Sequence, residues 1–76
     1  MSKELLHEEI DGILCIAYLG EDNIVECTVN GEEVEVGIAL SEHEIEGEYE
    51  LAVGCILKAA YNIYIANKML ESVYFD

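Results

Sequence analysis

The segment IVECTVNGEEVEV, residues 24–36, can be folded on paper. Asn30-Gly31 stands between two alternating runs, and that dipeptide signals a two-residue type I′ hairpin turn because both central residues must take positive φ. A two-residue turn also sets the register of the strands it joins. Val29 then faces Glu32, Thr28 faces Glu33, Cys27 faces Val34, Glu26 faces Glu35, and Val25 faces Val36. One face of the hairpin is Val25, Cys27, Val34 and Val36, an apolar surface for a core. The other carries Glu26, Thr28, Glu33 and Glu35. Glu26 opposite Glu35 is a like-charge cross-strand pair, which opposes folding by a few tenths of a kcal/mol. A chain selected for stability alone would place lysine or threonine at one of the two.

The strands of this hairpin read as Ile24–Val29 and Glu33 to about Leu40. A third precedes them: Ile13–Leu19, ILCIAYL, apolar on both faces, joined through Gly20–Asn23, whose composition is that of a turn. Its residues Ile13, Cys15, Ala17 and Leu19 are expected on the face opposite the core. Met1–Ile10 reads as a short helix, with Ser2 as N-cap, Leu5, Leu6 and Ile10 on related faces, and Gly12 ending it.

Beyond Tyr49 the apolar period changes from 2 to about 3.5. Ala52, Ile56, Ala59, Ile63, Ala66, Leu70 and Val73 recur at alternating steps of four and three, the stripe expected to cross the sheet. Alanine at every seventh position of this stripe lets another backbone approach closely. Val53, Leu57, Ala60 and Tyr64 form a second apolar stripe with Tyr61 beside it. A helix over Tyr49–Val73 would be ~37 Å long, whereas seven-residue strands reach only ~23 Å. Part of the helix must therefore overhang, and the second stripe, residues Val53, Leu57, Ala60, Tyr61 and Tyr64, is expected to form a homodimer interface. The fold expected is one α+β domain over residues 1–76: a short N-terminal helix, a three-stranded antiparallel sheet and a long C-terminal helix packed on it.

That order of elements is similar to the topology of double-stranded RNA-binding domains. Those domains place basic residues at the start of the second helix, where this chain has SEHEIEGEYE, residues 41–50, with a glutamate at every second position from Glu42 to Glu50. The resemblance implies a shared fold and a different function. Two conformations suit the run. As a helix entry, Ser41 caps and Glu44 completes a capping box; as an extended segment, its carboxylates project from one side at intervals of ~6.7 Å. Capping and the helix dipole account for two or three acids, but not for five.

The charge is extreme. The 76 residues carry 17 acids, three lysines and no arginine, a formal net charge of −14, while 53% of residues are hydrophobic. The apolar content is that of a chain that folds. The excess of carboxylates steers positively charged partners and disfavours direct binding to nucleic acid or to an anionic membrane. No apolar stretch reaches the ~20 residues of a membrane span, and residues 1–9 lack the apolar core of a signal peptide, so a cytoplasmic location is expected. Cys15, Cys27 and Cys55 are an odd number with no CxxC spacing, expected as three buried free thiols.

No catalytic pattern emerges. His7-Glu8-Glu9 lacks the second histidine of a zinc-protease helix, His43 stands alone between glutamates, and Asp22 to Glu33 fails an EF-hand because Ile24 occupies a ligand position. No enzyme activity, cofactor or specific metal site is expected. Glu26, Glu33 and Glu35, together with Glu42, Glu44, Glu46, Glu48 and Glu50, are expected to form a negative surface that docks on a basic, nucleic-acid-binding protein. Short, strongly acidic chains with a compact core resemble phage-encoded inhibitors that mimic DNA, anti-CRISPR proteins among them. The resemblance is one of size and charge, and it implies an inhibitor acting by charge mimicry. The alternative is a small homo-oligomeric structural domain whose charge serves solubility alone.

Overall fold

A computed structural model describes residues 3–42 and 49–75, the last three of these by their backbone alone. The chain is an α+β domain. Strands β1 (Lys3–Ile10), β2 (Ile13–Leu19), β3 (Val25–Val29) and β4 (Glu32–Val34) form an antiparallel meander in that spatial order, and one helix, α1 (Glu50–Phe75), crosses it. The helix expected over Met1–Ile10 is corrected: its described residues, Lys3–Ile10, form a strand, and the sheet has four strands rather than three. With that helix absent, the likeness to double-stranded RNA-binding domains falls away.

The error has a local cause. Lys3–Ile10 shows no apolar period-2 alternation for two reasons: the register shifts between Glu4 and Leu6, a bulge that sends the adjacent leucines toward the core together, and Glu8 takes the helix-facing position between Leu6 and Ile10. The stronger signal lay in Asp11-Gly12. Asp11 has φ 51° and Gly12 φ 80°, closely matching Asn30 at 54° and Gly31 at 80°, so both hairpins close through the same two-residue turn. Seven ladder pairs with β2 hold residues of good helix propensity in a strand, a case of tertiary pairing overriding local preference.

The register expected for the second hairpin holds for Val29 with Glu32, Thr28 with Glu33 and Cys27 with Val34. It stops there. The Glu26–Glu35 pair is not formed, because β4 ends at Val34 and the chain bulges through Gly37, which takes φ 66°. Pairing resumes two residues late. The Val25 amide donates to the Ile38 carbonyl at 2.8 Å, and Ile24 bridges Ala39. The bulge takes the two carboxylates out of direct opposition.

Beneath the helix lies the core. Cys15 and Ala17 from β2, with Val25, Cys27 and Val29 from β3, are buried on the covered face. This corrects the facing of β2: Cys15 pairs with Val29, Ala17 with Cys27 and Leu19 with Val25, so these residues, and Ile13 with them, share the core face. The helix stripes are exchanged as well. Val53, Leu57 and Ala60 are each 0% exposed and Tyr64 9%, packed on the sheet of their own chain. They are closed to a second copy, and the interface assigned to Val53, Leu57, Ala60, Tyr61 and Tyr64 is withdrawn. The stripe expected to cross the sheet leaves Ile63 39% and Leu70 51% exposed. One wide apolar arc contained both stripes, and spacing alone could not say which half met the sheet.

Two tyrosines tie the helix to the turns. Tyr61 Oη donates to Asp11 Oδ2 at 2.9 Å, and Asn30 Nδ2 donates to Tyr64 Oη at 3.2 Å. One turn further on, Lys68 Nζ stands 3.2 Å from Glu32 and 3.6 Å from Glu71, over the Tyr64 ring. From Ala66 to Ser72 every side chain is exposed, so the helix outruns the sheet as its length requires.

Candidate functional site

The helix covers one face of the sheet and leaves the other open. Alternation along β2 sends Leu14, Ile16 and Tyr18 to this open face as an apolar column. The ladder supplies its flanks. Tyr18 lies between Glu4 of β1 and Glu26 of β3; Ile16 lies between His7 and Thr28, with Glu33 beyond; Leu14 lies beside Glu9. Carboxylates therefore border an apolar centre on both sides. Leu14 is 47% exposed, so the column is accessible.

At the β3–β4 side the face deepens into a groove of about 760 Å³, where the bulged segment Glu35, Val36 and Gly37 stands beside Tyr18 and Ile24, with Glu26 and Glu33 around them. Glu26 reaches across to Gly20, filling the space a side chain there would take; a Cβ at position 20 would lie 2.6 Å from its carboxylate. Among the described residues His7 Nδ1 stands 3.2 Å from Glu4 Oε2, and ion pairs join Glu32 and Glu71 to Lys68. None of them neutralises Glu26, Glu33 or Glu35.

Three of the eight glutamates expected to bind a partner, Glu26, Glu33 and Glu35, are thus brought to one groove. Glu42 and Glu50 are exposed and lie outside it. Glu44, Glu46 and Glu48 lie outside the described residues, as do His43 and the capping box that Glu44 would complete. Sequence reading missed Leu14, Ile16 and Tyr18. The signal was present in ILCIAYL, which is apolar on both faces, but its two faces were assigned the wrong way round.

The remaining chemistry is quiet. Burial, with a smaller contribution from Cys15, pushes the Cys27 thiol up to about 11, and burial followed by the charge of Glu8 raises that of Cys15. Both stay protonated at neutral pH and make poor nucleophiles. Cys55 is exposed, which corrects the expectation of three buried thiols. Among the described residues no cluster of His, Cys, Asp and Glu is placed to hold a metal ion, and no helix is long and apolar enough to cross a membrane.

No protein-family model matches the chain, and neither a curated protein nor a solved structure matches it. Fold and site together define a class only: a four-stranded antiparallel meander with one covering helix and an acidic, apolar-centred open face.

Proposed function

We propose that the chain is a non-enzymatic acidic binding protein that occupies the cationic surface of a nucleic-acid-binding protein and thereby inhibits it. The observation that supports this is the groove: Glu26, Glu33 and Glu35 stand around Tyr18, Ile24 and Val36 with no basic side chain among the described residues to neutralise them. Carboxylates in such an array present a basic partner with the charge it meets in phosphates. The apolar floor supplies what charge alone lacks, because buried aromatic and aliphatic contacts carry most of an interface's energy while rim charges set on-rate and selectivity.

The test uses the chain immobilised and exposed to extract of the cells that carry its gene, with retained proteins identified and then purified. A basic nucleic-acid-binding protein is expected, released by duplex DNA and by added salt, since exposed charges beyond ~8 Å are screened at physiological ionic strength. The triple variant Glu26→Gln, Glu33→Gln, Glu35→Gln is expected to lose it. A variant with Glu42, Glu44, Glu46, Glu48 and Glu50 all changed to Gln separates the contribution of the run from that of the groove. Retention of the same protein by both variants, unaffected by salt, overturns the reading.

A further inference from the structure

The open sheet face is not the only surface left without a cover. Ile56, Ile63 and Leu70 alternate with Ala52, Ala59 and Ala66 along one flank of α1, beside the residues that meet the sheet. Ile56 is buried at the boundary, while Ile63 and Leu70 are large apolar side chains exposed to solvent. We infer that this flank is the contact between two copies of the chain, paired antiparallel about a two-fold axis that crosses the flank between Ala59 and Ile63.

Charge selects the occupant. All 17 acids of the chain lie outside residues 51–70, a stretch whose only charges are Lys58 and Lys68. A cationic partner would find no carboxylate on this flank to pair with, so the kind of partner suited to the open face is unsuited to this one. Two copies, each with a net charge of −14, repel wherever their carboxylates approach. The flank is where they can meet without desolvating any, and depletion of charge at the centre is the compositional mark of an interface.

Shape selects the same occupant. A two-fold contact must be complementary to itself, with each residue meeting the partner of its own counterpart. Reversing the stripe about position 61 sets Ala52 against Leu70, Ile56 against Ala66, and Ala59 against Ile63, so every small residue meets a large one. The steps of four and three that generate this pattern are those of a coiled-coil seam, which two helices can follow along their length. The surface is separate from the acidic groove, and the pairing leaves both open faces free. A dimer would therefore present two such grooves.

Sedimentation of the full chain over a concentration series tests the inference. The wild-type chain is expected to sediment as a dimer, more tightly as salt is added, because screening weakens the repulsion between copies; binding of a cationic partner moves the opposite way. The variant Ile63→Glu, Leu70→Glu is expected to be monomeric at every concentration where the wild type is a dimer, with an unchanged circular dichroism spectrum. Ala66→Glu, a substitution at an exposed position, should do the same if the double variant misfolds. Leu14→Glu, on the open sheet face, should leave the dimer intact. A wild type that stays monomeric throughout overturns the inference, as does a dimer that survives the flank substitutions or is lost with Leu14→Glu instead.

Discussion

The first hairpin, β1–β2, and the second, β3–β4, are built alike at their turns and differently along their strands. Each closes through an acidic or amide residue followed by glycine, both at positive φ, and each turn is bound by a tyrosine of the helix. Along the strands the likeness ends. The first hairpin runs through seven ladder pairs but carries a bulge near its start; the second forms three pairs and then loses register at Gly37. A bulge at the far end of each hairpin directs what the sheet exposes. In the first it turns Leu5 and Leu6 inward; in the second it takes Glu35 out of direct opposition to Glu26 while both, with Glu33, line the groove. Matching turns make the scaffold, and unlike strands make its surface.

The largest disturbance of this comparison should come from the shared cover. Leu57 of α1 is 0% exposed against the sheet, and Leu57→Ala should remove about 2–5 kcal/mol, measured by urea unfolding. The buried thiols report whether both hairpins yield together, since Cys15 lies in the first and Cys27 in the second. Both are expected to become reactive toward a thiol reagent at one urea concentration, whereas Cys55 reacts in the native chain. Exposure of one well before the other would show the hairpins to be separate folding units.

Next come the turns. Gly12 and Gly31 share φ +80°, and a Cβ at either meets nothing within 4 Å. Gly12→Ala and Gly31→Ala should therefore each lose about 1–2 kcal/mol from left-handed backbone strain alone, and by similar amounts. A large disparity in their unfolding midpoints would break the equivalence of the two turns.

The tyrosine ties should differ modestly. Tyr64→Phe strips the acceptor from Asn30 at a largely buried site and should lose about 0.5–1.5 kcal/mol in the same urea assay. Tyr61→Phe should have the smallest effect at neutral pH, and its signature lies in alkali. The hydrogen bond to Asp11, then burial and the Asp11 charge, hold the Tyr61 phenol above its ordinary value of 10.0. Only the protonated phenol donates, so this stabilisation is complete below pH 10 and is lost as pH rises through the raised value. The wild type should lose more stability than Tyr61→Phe on that alkaline limb, and parallel curves would remove the tie from the account.

How much of this was legible follows the same division. The second hairpin's turn, its first three pairs and its buried face could be read from Asn30-Gly31 and the alternation around it, and the span of the long helix from its period. Strand β1 could not, because its bulge and the helix-facing Glu8 removed the apolar alternation that marks a strand, although Asp11-Gly12 carried the same turn signal as Asn30-Gly31. Glu26, Glu33 and Glu35 could be placed on one face of the second hairpin from its register, which showed neither Tyr18 beside them nor the irregular path through Gly37. That path breaks the simple register from which they were first placed.

By itself the sequence determined turn chemistry, the length of the helix and the sign of the surface, because each depends on residues close together along the chain. Tertiary structure decided which face of β2 is buried, which arc of the helix meets the sheet, and that Tyr18 of β2 stands among the hairpin's carboxylates. Both β2 and α1 are apolar on more than one side, and such an element acquires an inside and an outside only from what packs against it.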